Sequence, residues 1–338
     1  MNRPTNRNAL RRKVIIGACA TVLAGAALAA ASAAGAQPPT EINFGIISTE
    51  QTQHLREDWQ PLLNHFEAKT GFKVKAFFAP DYAGIIEAMR FNKVHLAWFG
   101  NKSAMEAVDR AGGEVFAQMV NADGNQGYYS HLIVHKDSPL KSLEDVLKGA
   151  KNLSFGIGDP NSTSGYLVPS YYVFAVNKID PKAAFKVVRS ANHETNALAV
   201  ANKQVDVATN NSENLQKLND RFPDKHRELR IVWTSPLIAL DPLVMRADLP
   251  AATKAKIKDF IYTYGKTDDE KKVLFKISKL SGFKESSNRQ LIPSRQLELY
   301  REKTKLEADT ALPATQKQAK LAEIEQKLAE LNHQLAQR

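Results

Sequence analysis

Cysteine is nearly absent: the chain holds one, Cys19, and it falls within the first 36 residues. The rest of the protein therefore forms no disulfide and offers no thiolate to a metal or a substrate. No run of five like charges occurs, which argues against nucleic acid as a partner. Catalytic signatures are missing as well. No Gly-x-Ser-x-Gly elbow exposes a serine nucleophile, and His193-Glu194 lacks the second histidine of a zinc protease because position 197 is Ala197. No other His/Asp/Glu group has metal-ligand spacing, so neither a metal nor a cofactor is expected.

What is present begins with an export signal. Arg3, Arg7, Arg11, Arg12 and Lys13 form a basic start without acids, an apolar run follows from Val14 to about Ala30, and Ala34-Gly35-Ala36 closes the segment. That order is the layout of a cleaved secretory signal peptide over residues 1–36. Arg11-Arg12 leaves the twin-arginine and general routes both open. Cys19 in "IGAC" resembles a lipoprotein box, but only five residues separate it from Lys13, short of the ~7–15 apolar residues such a core needs. Without the signal, 41 basic residues face 36 acidic ones, a net charge of +5 that demands no polyanion.

About 300 residues suit two domains of ordinary size. Apolar strand-like runs ("EINFGII", "FKVKAFFA", "EVFAQMV", "LSFGIG", "VDVAT" among them) alternate with amphipathic segments such as "EDWQPLLNHFEAKTG". The pattern predicts an α/β protein with mainly parallel sheets. Helix starts are expected at Asp81, at Ser103 with Glu106, and at Ser142 with Asp145. Two extended stretches, Tyr128–Pro139 and Leu229–Arg246, read as crossings between lobes. If the chain leaves one lobe near residue 134 and returns near 241, the lobes face each other across a cleft. Beyond Pro313, Leu321, Ile324, Leu328, Leu331 and Leu335 are spaced 3, 4, 3 and 4 apart. Such a seam pairs with a second copy as a homodimer or packs on its own lobe.

The stretch "GDPNSTSGYLVP", Gly158–Pro169, places three hydroxyls where a strand gives way to a helix. Unpaired N–H groups at a helix start attract an anion. Ser162, Thr163 and Ser164 add neutral donors, and Gly165 is expected to let a ligand approach the backbone. A plain serine N-cap is the simpler reading. No Gly-Lys-Ser/Thr follows the loop, so it is not a nucleotide P-loop. Pro169 releases the carbonyl four residues before it, and a bend is expected there. His193 opens a helical segment, "HETNALAVANKQ", from which it faces either solvent or the cleft; beside a dianion its charged form is favoured. Glu213 near another helix start complements the helix dipole or meets a ligand. Asp241, an acid inside the apolar crossing "PLIALDPLVM", needs a cationic partner. Trp98, Tyr128 and Tyr129 are further candidates for the cleft wall.

The runs "FFAPDYAGIIEAMRFNKV", "SAMEAVDRA", "GDPNSTSGYLVPSYYVFA", "HETNALAVANKQVDVATNN" and "SPLI..DP" resemble the periplasmic phosphonate-binding proteins of bacterial ABC transporters, over roughly residues 41–300. The resemblance implies a two-lobed periplasmic binding protein fold of type II with two crossover strands. Lobe 1 is then residues 37–134 and 242–300, lobe 2 is 135–241, and 301–338 is a helical tail. It also implies ligand roles. Ser162, Thr163, Ser164, Tyr82, Tyr128 and His193 hold the phosphonate, while Glu213 and Asp241 hold a ligand amine. Two positions depart from the pattern: His95, where aspartate is expected, and Phe99, where tyrosine is usual.

Three functions compete. A binding protein would capture a phosphonate, 2-aminoethylphosphonate by preference, and pass it to the membrane permease of an ABC importer. It needs no catalysis. An exported hydrolase of phosphorus-containing esters would use Ser162 or Ser164 with His193. A basic surface protein would bind polyanions. The triple-hydroxyl loop and the modest net charge favour the first.

Overall fold

A computed structural model describes residues 39–337; the expected signal peptide and Cys19 lie outside the described residues. β1 (Glu41–Ile46) shows how the first sheet is made. Ile42, Phe44 and Ile46 alternate onto one face and are fully buried, as the two-residue period of a strand requires. They meet α1 (Thr52–Thr70), whose Leu55, Trp59, Leu62, Leu63 and Phe66 form one helical stripe. On the other face only glycine fits at position 45, because a Cβ would stand 2.7 Å from Ile85 Cγ2. Pro61 inside α1 leaves the Glu57 carbonyl without its helical donor, and Lys276 Nζ supplies one at 3.1 Å. Gly71, at φ 72°, ends the helix.

The first lobe continues through β2 (Lys73–Phe78), α2 (Tyr82–Arg90), β3 (Leu96–Trp98), α3 (Asn101–Arg110) and β4 (Gly113–Asn121). After β5 (Gly127–Tyr128), the second lobe runs through β6 (Ser130–His135), α4 (Leu143–Gly149), β7 (Ser154–Ile157), β8 (Val187–Ser190), α5 (His193–Ala201), β9 (Val207–Asn211), α6 (Ser212–Arg221) and β10 (Leu229–Thr234). β11 (Ile238–Ala239) leads back to β12 (Pro242–Arg246), α7 (Ala251–Thr263), α8 (Asp268–Ser278) and β13 (Leu280–Glu285). The tail is α9 (Ile292–Ala308) and α10 (Ala314–Ala336).

Two sheets result, in the orders β13-β4-β12-β3-β1-β2 and β10-β6-β9-β7-β8. They are mixed, which corrects the expectation of mainly parallel pairing. β1 runs parallel to β2 and β3, and β7 to β8 and β9. β12 and β6, however, enter their sheets directly from the other lobe. With no crossover helix to reverse them, both lie antiparallel to their neighbours. The two connections are themselves paired: Tyr128 faces Ile238 and Gly127 faces Ala239 in a β5–β11 ribbon. Side chains are excluded at position 127, where a Cβ would stand 2.1 Å from Ile238 O. Because Ser130 already pairs in the second sheet, the first crossing precedes residue 130. The expected departure near 134 came from reading Tyr128–Pro139 as one extended stretch.

Asp81 caps α2 through Gly84 N–H at 2.8 Å, and Ser142 with Asp145 forms a capping box on α4. Ser103 with Glu106 does not. α3 begins three residues earlier, behind Gly100, so Ser103 Oγ turns back to donate to the Gly100 carbonyl at 3.0 Å. Glu106 instead pairs with Arg110 at 3.2 Å. In the tail, α10 folds back on α9 within the same chain. Ile324 and Leu328 are buried there, and Lys303 meets Glu325 at 2.8 Å. Leu335, at the end of the seam, is exposed.

Candidate ligand-binding site

Between the lobes lies a cleft lined by residues of both. Both sheets direct the C-terminal ends of strands toward it: Ile47 and Thr49 follow β1, Trp98 ends β3, and Asn211 ends β9. Ligand crevices of α/β sheets form at such ends. All eight residues singled out from the sequence line it: Tyr82, Tyr128, Ser162, Thr163, Ser164, His193, Glu213 and Asp241.

The hydroxyl loop departs from an ordinary helix. Thr163–Leu167 and Ser170–Ala175 are π-helical turns on either side of Val168 and Pro169. Pro169 has no N–H to give, and the nearby carbonyls are used elsewhere. Ser130 Oγ donates to Ser164 O at 2.6 Å, while Gly158 N–H and Thr209 Oγ1 both donate to Gly165 O at 2.9 Å. Gly165 serves this packing rather than ligand approach, which corrects the expectation. A Cβ there would stand 3.0 Å from Gly158 Cα and from His193 Cε1. The loop needs two glycines because its two backbone segments cross in contact.

Each hydroxyl oxygen of the loop accepts from a protein N–H. Ser162 Oγ accepts from Gly165 N–H at 3.0 Å, Thr163 Oγ1 from Lys102 N–H at 2.9 Å, and Ser164 Oγ from Asn211 Nδ2 at 3.0 Å. With the oxygens engaged as acceptors, the three hydroxyl protons are left to donate. Ser162 is therefore an N-cap and a donor at once; the two readings do not exclude each other. His193 is buried, with Nε2 3.4 Å from Ser162 Oγ and 3.3 Å from Asn211 Nδ2. Burial drives its imidazole down to about 4, against a weak upward pull from Glu50. At neutral pH it is uncharged in this environment, and its Nδ1 is buried without a hydrogen-bond partner.

The cleft also carries the acids Asp241 and Glu213. Asp241 accepts from Trp98 Nε1 at 3.0 Å and from the Tyr128 hydroxyl at 3.3 Å. Burial, and then the Glu213 charge, push its carboxyl well above the ordinary range. Burial likewise raises Glu213 to about 7, although Lys217 pulls the other way. Both tyrosines hold their protons more tightly than usual, chiefly through burial. Hydroxyl donors and reluctant carboxylates thus line one cleft.

Other placements differ from the sequence reading. Tyr129 is exposed beside His131, outside the cleft. His95 Nδ1 accepts from Asn43 N–H at 3.0 Å and Phe99 is fully buried; neither lines the cleft. Sequence reasoning missed Thr49, Glu50, Asn211, Asn214, Lys217 and Ser278. A signal existed for Lys217, one helical turn beyond Glu213, and for Asn211 at a strand end. Glu50 and Asp58 of the first lobe form a buried network with Lys217 and Arg221 of the second, at 2.6–3.2 Å. Glu50, His54 and Glu194 also converge, in a grouping invisible to linear spacing. Lys217 and Arg221 take both oxygens of Glu50, so cations of the protein itself already occupy it.

Comparison with known proteins agrees with this geometry. The family described as "ABC transporter, phosphonate, periplasmic substrate-binding protein" matches residues 44–291. The chain is 57% identical to the phosphonates-binding periplasmic protein of Escherichia coli over 291 residues, 86% of each chain. It is 30% identical to a phosphate-import protein of Mycolicibacterium smegmatis, over 60% of this chain and 64% of that one. Among solved structures, a binding protein component of an ABC phosphonate transporter from Pseudomonas aeruginosa superimposes with a TM-score of 0.87 at 54% identity, covering 89% of this chain and 99% of that one. The two-lobed fold with a cleft between mixed sheets is that of periplasmic binding proteins, and the chain belongs to the phosphonate-binding periplasmic proteins of ABC transporters.

Proposed function

We propose that this protein captures zwitterionic aminoalkylphosphonates, 2-aminoethylphosphonate first among them, and delivers them to the permease of an ABC importer. One observation carries the choice of ligand. Two buried acids, Glu213 and Asp241, line the same cleft as the Ser162–Ser164 donors, and both are raised by burial. An ammonium between them would relieve that cost. Lys217 does not fully do so, since its Nζ is already engaged by Glu50 and Asp58.

In this reading Ser162, Thr163, Ser164, Tyr82 and His193 hold the phosphonate oxygens, and Tyr128 joins them by turning its proton from Asp241, where it points in this structure. Export by a cleaved signal over residues 1–36 belongs to the same proposal, and N-terminal sequencing of periplasmic protein checks it. Homodimerisation through the tail would have to use what α9 leaves uncovered, since Ile324 and Leu328 already face it.

The Ser162–His193 approach invites the hydrolase alternative. Against that, Ser162 Oγ is occupied by Gly165 N–H, and no carboxylate reaches His193 Nδ1 among the described residues. A base so depressed and unoriented supports binding over nucleophilic attack. Calorimetric titration against 2-aminoethylphosphonate, methylphosphonate, phosphite and phosphate is the deciding experiment. The aminoalkyl compound is expected to bind tightest. Equal affinity for methylphosphonate or phosphate would remove the acids from the selectivity.

A further inference from the structure

Two helix starts of the first lobe are completed by side chains of the second. α3 begins behind Gly100, which has no side chain with which to cap it. Its Lys102 N–H donates instead to Thr163 Oγ1 at 2.9 Å. α2 has its own cap in Asp81, yet its first amide, Tyr82 N–H, donates across the cleft to Asp159 Oδ2 at 3.2 Å. Asp159 is fixed for this purpose. Its Oδ1 accepts from Asn161 N–H at 2.7 Å and its carbonyl from Ser162 N–H at 2.8 Å. The first amides of a helix have no partner within it, so an oxygen supplied from elsewhere stabilises them. A carboxylate also complements the positive end of the helix dipole.

We propose that Asp159 and Thr163 are closure-positioning residues, capping α2 and α3 only when the lobes meet, so that lobe closure and ligand capture form one step. This rests on the ligand reading above. Thr163 is the coupling point: its oxygen takes the Lys102 amide, and its proton is thereby left for the cleft it lines. Gly100 permits the approach, since a Cβ there would stand 3.0 Å from Thr163 Oγ1. Asp159, unlike Ser162, Thr163 and Ser164, does not line the cleft. Its side chain reaches the ligand only indirectly, through closure and through the Asn161 turn that it fixes beside Ser162. A ligand that favours the closed state must do so by differential contacts, and these caps add to that difference without touching the ligand.

The test compares wild type with Asp159→Ala and Asp159→Asn. It uses titration with both 2-aminoethylphosphonate and methylphosphonate, stopped-flow release, and thermal melting of the ligand-free protein. Asp159→Ala is expected to weaken both ligands by the same factor, roughly tenfold, the equivalent of a lost cap. Release should accelerate while the ligand-free melting temperature holds, and Asp159→Asn, which keeps an acceptor oxygen, should recover most of the affinity. Unchanged affinity and release in Asp159→Ala would overturn the proposal. So would a fall in ligand-free melting temperature that accounts for the whole loss, because the cap would then be present without closure. Wild-type protein that bound neither phosphonate would overturn the ligand reading instead.

Discussion

Trp98 and Asp241 stand 143 residues apart in the chain, yet the indole Nε1–H donates to Asp241 Oδ2 at 3.0 Å. The contact follows from topology. β12 returns antiparallel beside β3, pairing Leu243 with Trp98, and so brings the acid that precedes it level with the end of β3. One indole and one phenol are neutral donors, enough to orient a carboxylate and too little to balance its charge. The imbalance makes Asp241 a candidate for recognising a ligand cation.

Removing either acid should therefore separate ligands by charge. Asp241→Asn or Glu213→Gln is expected to weaken 2-aminoethylphosphonate by ~2–5 kcal/mol, the range for breaking a buried charge pair. Methylphosphonate, with no amine, should be nearly unaffected or bind slightly better. Titrations of the two ligands against each variant give the answer, and equal losses for both would place the acids outside amine recognition.

The pH dependence has a definite sign. Glu213 ordinarily titrates near 4.5 and is raised to about 7 by burial. A raised acid stabilises the fold while protonated, below its unfolded value, and that contribution is lost as pH rises through about 7. His193 titrates with the opposite sign below about 6.5, so the effect is read as a difference: the melting temperature of ligand-free wild type relative to Glu213→Gln should fall as pH climbs from about 5 to about 8. An ammonium reverses the cost, so the affinity of 2-aminoethylphosphonate relative to methylphosphonate should grow over the same window. A constant ratio would contradict a titrating Glu213.

For the phosphonate end, single alanine substitutions at Ser162, Thr163 and Ser164 should each cost ~1.5–3 kcal/mol of binding, as for hydrogen bonds to a charged group. His193 adds an acid limit. Its folded value is depressed to about 4 from an ordinary 6.5, so it contributes stability above 6.5 that is lost as pH falls toward 4. Full loss is of order 3 kcal/mol. Melting curves of wild type and His193→Asn between about pH 4 and 7 would show it; parallel curves would mean that His193 is not held neutral.

Much of this candidate site is legible in the sequence. The hydroxyl loop announced itself because three adjacent donors between glycines at a strand end have few structural uses. Asp241 stood out as a charge in an apolar crossing. Thr49 and Glu50 did not, since nothing local distinguishes them; only the meeting of two lobes makes them neighbours of the hydroxyl loop. The same holds for the antiparallel entry of β6 and β12, which depends on where a crossing lands rather than on its composition. Ser103 misleads because a capping-box spacing survives even when the helix starts three residues sooner. Linear sequence reports periods and caps well, and reports poorly any contact whose partner arrives from another lobe.

The ionic network between lobes tests closure from a different direction. Lys217 lies 2.7 Å from Glu50 and 3.2 Å from Asp58, while Arg221 lies 2.6 Å from Glu50 and 3.0 Å from Asp58. Glu50 and Asp58 are nearly inaccessible to solvent, and the two cations are only partly covered. Both acids sit on the first lobe and both cations on α6 of the second, so the network exists only with the lobes together. Breaking a fully buried pair costs ~3–5 kcal/mol; partial exposure of the cations lowers the expectation to ~1–3 kcal/mol. Because closed protein alone loses this energy, Asp58→Asn should weaken every phosphonate to a similar degree and shrink the ligand-induced fall in radius of gyration seen by small-angle scattering. Asp58 does not line the cleft, so a loss confined to one ligand is not expected. Unaltered affinity and full compaction in Asp58→Asn would show that the four charges do not help hold the lobes together.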